Sequence, residues 1–212
     1  MMCHFTSLKR RMNLPVMMAL LFVLTGQPSA VSAAEKTSAA KPTPEVAAKI
    51  ERAKAAIGTF KTALQSALKT AIKEQGLEGA ISVCNVKAPA IAAELSQQKD
   101  LKISRTALRL RNPANKADDW EEEMMAQFKA RHKKGEPLTP MAAYKMEEGE
   151  FRFLKAIPTS GLCLKCHGSS VKPALLTKIK SLYPMDEATG FLAGDLRGAF
   201  SVTISPDTLE KR

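Results

Sequence analysis

Aromatic side chains are scarce in this sequence. Phe, Trp and Tyr together make 5% of 212 residues, which argues against a base-stacking platform for nucleic acid. Four cysteines are too few for a disulfide-stapled scaffold. Eleven glycines and twelve prolines fall in no period, which excludes collagen-like repeats. No internal repeat is visible. Acids are the minority charge, 21 Asp+Glu against 32 Lys+Arg, for a formal net charge of +11. Long apolar runs are also lacking, except for one near the N-terminus. What is present is ordinary for a globular chain: 45% hydrophobic and 25% charged residues, in a length that suits one domain with appendages.

The single apolar run, residues 14–25, follows Lys9, Arg10 and Arg11 and precedes the small residues Ser29, Ala30, Val31, Ser32, Ala33 and Ala34. That order is the signature of a secretory signal peptide, cut after Ala33 or Ala34. An uncleaved anchor is the alternative, but the run is short against the roughly 20 residues that a span needs. The sequence therefore divides into a signal peptide (1–34), a flexible leader (35–42) and a single domain (43–212). Removing the signal takes three positive charges and no acid, so the net charge becomes 11 − 3 = +8. The mature chain is expected in the periplasm. No membrane span and no nucleic-acid partner are expected there, and the basic balance suits acidic proteins.

Within the domain, Thr43 can cap a helix with Pro44 at its first position. Val46, Ile50, Ile57, Leu64, Leu68 and Ile72 make one apolar helical face, and Gly76 is a stop signal. Residues 78–98 read as a second helical stretch, broken near Pro89. Residues 101–110 alternate as a strand, a Pro/Asn turn follows, and 117–134 reads as a helix with Trp120, Met124 and Phe128 on one face. Strands are expected at 140–147, 150–157 and 198–204, a loop at 158–172 and a short helix at 173–182. Helices at the front and hairpin strands behind make an α+β domain.

The informative stretch is Cys163-Leu164-Lys165-Cys166-His167. Cys-x-x-Cys-His is a c-type haem attachment pattern: two thiols capture the two vinyl groups of one haem, and the adjacent imidazole ligates the iron. A redox dithiol needs no adjacent histidine. A zinc site would need more soft ligands than Cys84 and His132 supply. The second axial position is open on these grounds, with Met124, Met125, Met141, Met146, Met185, His132 and Cys84 as candidates. Cys84 is the odd thiol once the motif pair is taken, and it stands in an apolar stretch where a small buried hydrophobe is equally in keeping.

Four motifs in order carry a resemblance: Ser82-Val83-Cys84-Asn85; Arg111-Asn112-Pro113-Ala114-Asn115 followed by Trp120-Glu121; the haem motif with Gly168; and Tyr183-Pro184-x-Asp186-x-Ala188-x-Gly190 leading to Gly194-Asp195-x-Arg197-Gly198-Ala199. Over about residues 50–205 the chain resembles the bacterial extracytoplasmic c-type haem domains, once counted among domains of unknown function. Members occur alone or ahead of membrane histidine kinases. The resemblance implies a PAS-like antiparallel sheet with flanking helices and a long N-terminal helix. It also implies one covalently attached haem c with His167 and Cys84 as axial ligands. A thiolate ligand favours ferric iron and a low potential. If it leaves on reduction it opens a site for a diatomic ligand, which fits sensing better than shuttling.

Arg111, Asn112, Asn115 and Arg197 are candidates to meet the haem carboxylates, with a turn and salt bridges within the fold as the other reading. Three functions follow in order. The first is a redox or small-ligand sensor, with a redox or signalling protein as partner. The second is a soluble electron carrier with a Met ligand, docking acidic partners. The third is an enzyme of sulfur compounds or peroxide, for which no acid–base pair is evident. The long first helix could also support a homodimer.

Overall fold

The computed structural model describes residues 41–206. The signal peptide and most of the leader expected before residue 43 lie outside these residues.

Helix α1 (Pro44–Ser82) starts as the sequence indicates, with the Val46 N–H donating to Thr43 Oγ1 at 3.3 Å. Its spacing of apolar residues puts Ala53, Ala56, Ile57 and Phe60 on one buried stripe. Gly76 does not end the helix. It takes φ 70°, ψ −172° inside it, and two helical halves meet there across a kink. The chain then forms one π-helical turn, Val83–Lys87, before α2 (Ala88–Lys99). The break thus falls before Pro89, which sits in the first turn of α2, where its missing N–H is not needed.

Strand β1 (Lys102–Thr106) is shorter than the alternation suggests. Beyond Thr106 the backbone turns away: Ala107 N–H donates to Asn115 O, and Leu110 O accepts from Glu187 N–H. A 3₁₀ turn at Pro113–Asn115 leads to α3 (Asp119–Lys133). This helix starts at a capping box in which Asp118 and Glu121 satisfy each other's backbone N–H groups. Strands β2 (Ala142–Glu147) and β3 (Glu150–Pro158) form the expected hairpin. Where a loop was expected, a short helix α4 (Gly161–His167) appears; α5 (Pro173–Leu182) and β4 (Leu196–Ile204) complete the domain.

The four strands make one antiparallel sheet in the order β1-β4-β3-β2. The α+β class, the antiparallel sheet and the long N-terminal helix are as expected. Both faces of the sheet are covered. Phe151, Phe153, Phe200 and Val202 join Phe60 and Ile57 of α1 in one core, while Leu154, Ala156 and Ala199 join Met125 and Phe128 of α3 in another. Two buried faces explain why 150–157 and 198–204 are apolar at both alternations. Among the described residues, no helix is long and apolar enough to cross a membrane.

Two glycines of α1 should respond to alanine with opposite signs. Gly76 holds a backbone conformation that is essentially glycine-only, so Gly76→Ala should cost about 1–3 kcal/mol. Gly58 lies in an exposed helical turn where an added Cβ meets nothing within 4 Å, so Gly58→Ala should stabilise by about 0.5–1 kcal/mol. Urea unfolding followed by circular dichroism checks both.

Candidate functional site

A cavity of about 380 Å³ opens between α1, the sheet and α4. This lies within the roughly 300–1,000 Å³ range of small-molecule pockets. One wall is apolar: Ile57, Leu64, Leu68 and Ile72 from α1, with Leu77 and Ile81 beyond the kink. The facing wall carries the chemistry. Cys163, Cys166 and His167 line it from α4, Cys84 from the π-helical turn, and Arg105, Arg111 and Arg197 from β1, the segment after it and β4.

Helix α4 turns the motif into one reactive surface. Cys163 and Cys166 are three apart on a helix and so share a face. Ser160 Oγ and Cys163 Sγ lie 3.2 Å apart. Burial pushes the Cys166 thiol up, which keeps it protonated. His167 Nδ1 lies 2.7 Å from Ala188 O. A carbonyl only accepts, so Nδ1 carries the proton and the Nε2 lone pair is left for a ligand. Burial, followed by the positive charge of Arg197 and Arg111, pushes the His167 imidazole down to about 2. It is therefore neutral, the form that binds metal. Gly168 ends the helix at close quarters, since a Cβ there would stand 2.6 Å from Leu164 O.

Arg111 is taken up by the protein. Its Nε donates to Asp186 Oδ1 at 2.9 Å and its Nη2 to Asp186 Oδ2 at 3.1 Å. Nη2 also donates to Cys166 O at 2.8 Å and Ala188 O at 3.3 Å. The salt-bridge reading thus describes Arg111, although it also lines the cavity. Asn112 accepts the Ala114 N–H at 3.0 Å, capping the 3₁₀ turn, and is not part of the cavity wall. Asn115 is in the wall, with no hydrogen bond from its carboxamide among the described residues. Arg197 Nη1 donates to Arg109 O at 3.2 Å. Burial, with Arg111 and Arg105 nearby, lowers the Arg197 guanidinium to about 10, still protonated at neutral pH.

Arg105 was not singled out from the sequence. It lines the cavity, and burial lowers its pKa, opposed by the Cys84 thiol and the Tyr183 phenol nearby. The available signal was alternation: Arg105 shares a strand face with Ile103, a core residue, so a cation there points into the covered side of the sheet. The Met candidates lie elsewhere. Met124, Met125 and Met141 belong to the α3 core, and Met146 and Met185 are exposed. His132 faces a different cleft, and its Nδ1 is held at 2.9 Å from Glu136 O.

The residues fit the expected haem. Two thiols on one helix face, a neutral imidazole of fixed tautomer and a second sulfur share a largely apolar cavity with cationic groups suited to carboxylates. Thr106 Oγ1, also in that wall, is buried without a hydrogen-bond partner. Among the described residues, no cluster of three or more His, Cys, Asp or Glu offers a conventional metal cage.

The chain belongs to the Tll0287-like family, whose model matches residues 33–205. In structure it is similar to the crystal structure of the cyanobacterial haem-protein Tll0287, with a TM-score of 0.59 and 25% identity, covering 77% of this chain and 97% of that one. No curated protein matches the chain significantly.

The Arg111–Asp186 pair has 8% and 3% side-chain exposure. Asp186→Ala leaves the guanidinium buried without its carboxylate and should cost about 3–5 kcal/mol. Chemical denaturation of the purified variant against wild type measures this.

Proposed function

We propose that this member of the Tll0287-like family is an extracytoplasmic monohaem protein that senses redox state or a small diatomic ligand. In this reading Cys163 and Cys166 hold haem c by thioether bonds, and His167 and Cys84 are the axial ligands. The observation that carries it is the convergence of Cys84 on the Cys163–Cys166–His167 cavity from 79 positions away (163 − 84), while all five mature Met candidates lie outside it.

When bound, haem supplies a one-electron couple and a metal position at which a ligand can exchange. The chain's own residues would tune that chemistry. The hydrogen bond to Ala188 O fixes the His167 ring and raises its basicity. Cys84, as a thiolate beside the Arg105 cation, favours the oxidised over the reduced state. A thiolate that protonates and withdraws would free its position, on a π-helical turn of the kind that recurs at functional sites. The apolar wall from α1 excludes water and strengthens each of these electrostatic effects. Arg105 and Arg197 supply positive charge for the haem carboxylates. The export signature at residues 1–34 supports a periplasmic setting, where an acidic redox or signalling protein would be the partner.

Absorption spectra of the haem-loaded protein, ferric and dithionite-reduced, test the ligand set. Cys84→Ala should change the ferric spectrum, and Cys84→Met should raise the midpoint potential. Cys163→Ala/Cys166→Ala should release all haem into acidified organic solvent, where wild type retains it. Spectra unchanged by Cys84→Ala would remove Cys84 from the site and make electron carriage the leading function.

A further inference from the structure

Arg197 and Gly198 belong to the walls of two cavities. The second is a cleft of about 210 Å³ between the last turns of α3, the segment after β1 and the entry to β4. It contains none of the cysteines and not His167.

Its rim is cationic. Arg109, Lys129, Lys133 and Arg197 line it, and none of the four has an ion-pair partner among the described residues. The single acid, Asp195, is engaged: its Oδ2 accepts the Leu192 N–H at 2.7 Å. Arg109 is held in place, with Nε donating to Glu187 O at 3.1 Å and Nη2 to Thr189 O, and its guanidinium carbon 4.4 Å from the Phe191 ring centre. The floor is apolar, formed by the buried Met125 and Phe191. Leu108 adds an exposed apolar edge. A concave apolar floor under unpaired cations suits a molecule with a carbon body and an anionic head. The volume falls below the roughly 300–1,000 Å³ of pockets for drug-sized ligands, so the molecule is small.

The cleft adjoins the first site through more than Arg197. The Phe191 N–H donates to His167 O at 2.9 Å, and the two rings stand edge to face with centres 6.4 Å apart. Arg197 also lies over the same Phe191 ring, at 5.2 Å.

We propose that this cleft binds a small organic carboxylate, and that its occupancy is coupled to the redox state of the adjoining cavity through Arg197 and Phe191. The coupling rests on the haem reading; the binding does not. A carboxylate beside Arg197 cancels part of the positive field on the first cavity. Less positive field favours the oxidised state, so the midpoint potential falls when the cleft is filled. By reciprocity, the oxidised protein binds the anion more tightly than the reduced one.

Calorimetric titration of the haem-loaded protein with succinate, and separately with sulfate at matched ionic strength, tests the site. Succinate should bind, and Lys129→Gln/Lys133→Gln should weaken it by about tenfold or more, the loss of one or two charge-assisted contacts. Arg109→Gln should weaken it independently. No succinate binding to wild type, or binding unchanged in these variants, overturns the site. Sulfate binding as tightly as succinate overturns the organic ligand. Redox titration with saturating succinate should lower the midpoint potential. An unshifted potential with binding intact overturns the coupling alone, while failure of the haem reading shows separately as wild-type protein that retains no haem in acidified organic solvent.

Discussion

The site depends on one buried ion pair. Arg111 and Asp186 are 75 positions apart and nearly inaccessible, yet their bidentate contact joins three segments. The remaining donor capacity of the guanidinium reaches Cys166 O in α4 and Ala188 O in the segment that steadies His167. Asp186 Oδ1 also accepts the Ala188 N–H at 3.1 Å. Burying two charges is costly, and Coulomb attraction alone seldom repays it. Here the added hydrogen bonds satisfy the pair and give it a structural output. They fix the carbonyl that fixes the histidine tautomer. Replacing the pair with hydrophobes could preserve packing, but it would take the guanidinium donor from Cys166 O and leave Ala188 O held by His167 alone.

A cavity beside a four-stranded sheet needs elements that stop short of filling it. Helix α1 packs tightly on the sheet through Ala53, Ala56, Ile57 and Phe60, then runs beyond the sheet core. Its later turns offer Leu64, Leu68 and Ile72 to open space, and at Gly76 the helix changes direction. The redirected half packs on α5 through Ile81, Leu175 and Ile179. That contact brings the π-helical turn and Cys84 back towards α4. Long-range placement of the second sulfur is thus a product of two backbone irregularities in an otherwise continuous helical stretch.

Those irregularities explain what the sequence did and did not make legible. The attachment motif, the first helix and its cap, the β2–β3 hairpin and the last strand follow from local patterns, and each is present. Gly76 was legible as an interruption but not as a kink, because a helix can resume when tertiary contacts hold the next half. The π-helical turn has no local signature, and Pro89 drew attention to the wrong position. Helix α4 was hidden because its seven residues are too short to show a period. Asn112 was open to both a ligand-facing and a turn reading, and it caps its own turn. Asp186 was legible only as one position of a motif, and its pairing with Arg111 needed the fold. Arg105 needed the strand's register to be noticed.

The charge balance of the main cavity says what kind of occupant it requires. Arg105, Arg111 and Arg197 all contribute to its wall, and Asp186 neutralises only Arg111. Two guanidiniums therefore face a largely apolar space without a carboxylate of the protein. The strain is visible in Arg197, lowered to about 10 by burial and by the other two cations, and in the neutral His167 beside them. An anionic occupant removes that penalty, and a neutral one does not. In the proposed reading, the two carboxylates of a bound haem and a Cys84 thiolate would together answer the field that the arginines create. The same field then resists loss of the thiolate's charge. Reduction of a bound haem would add negative charge beside Cys84 and work against that thiolate from the other side. In that reading, whether Cys84 stayed or left would be set by the difference between these two opposing effects, and a sensing site would need that difference to be small.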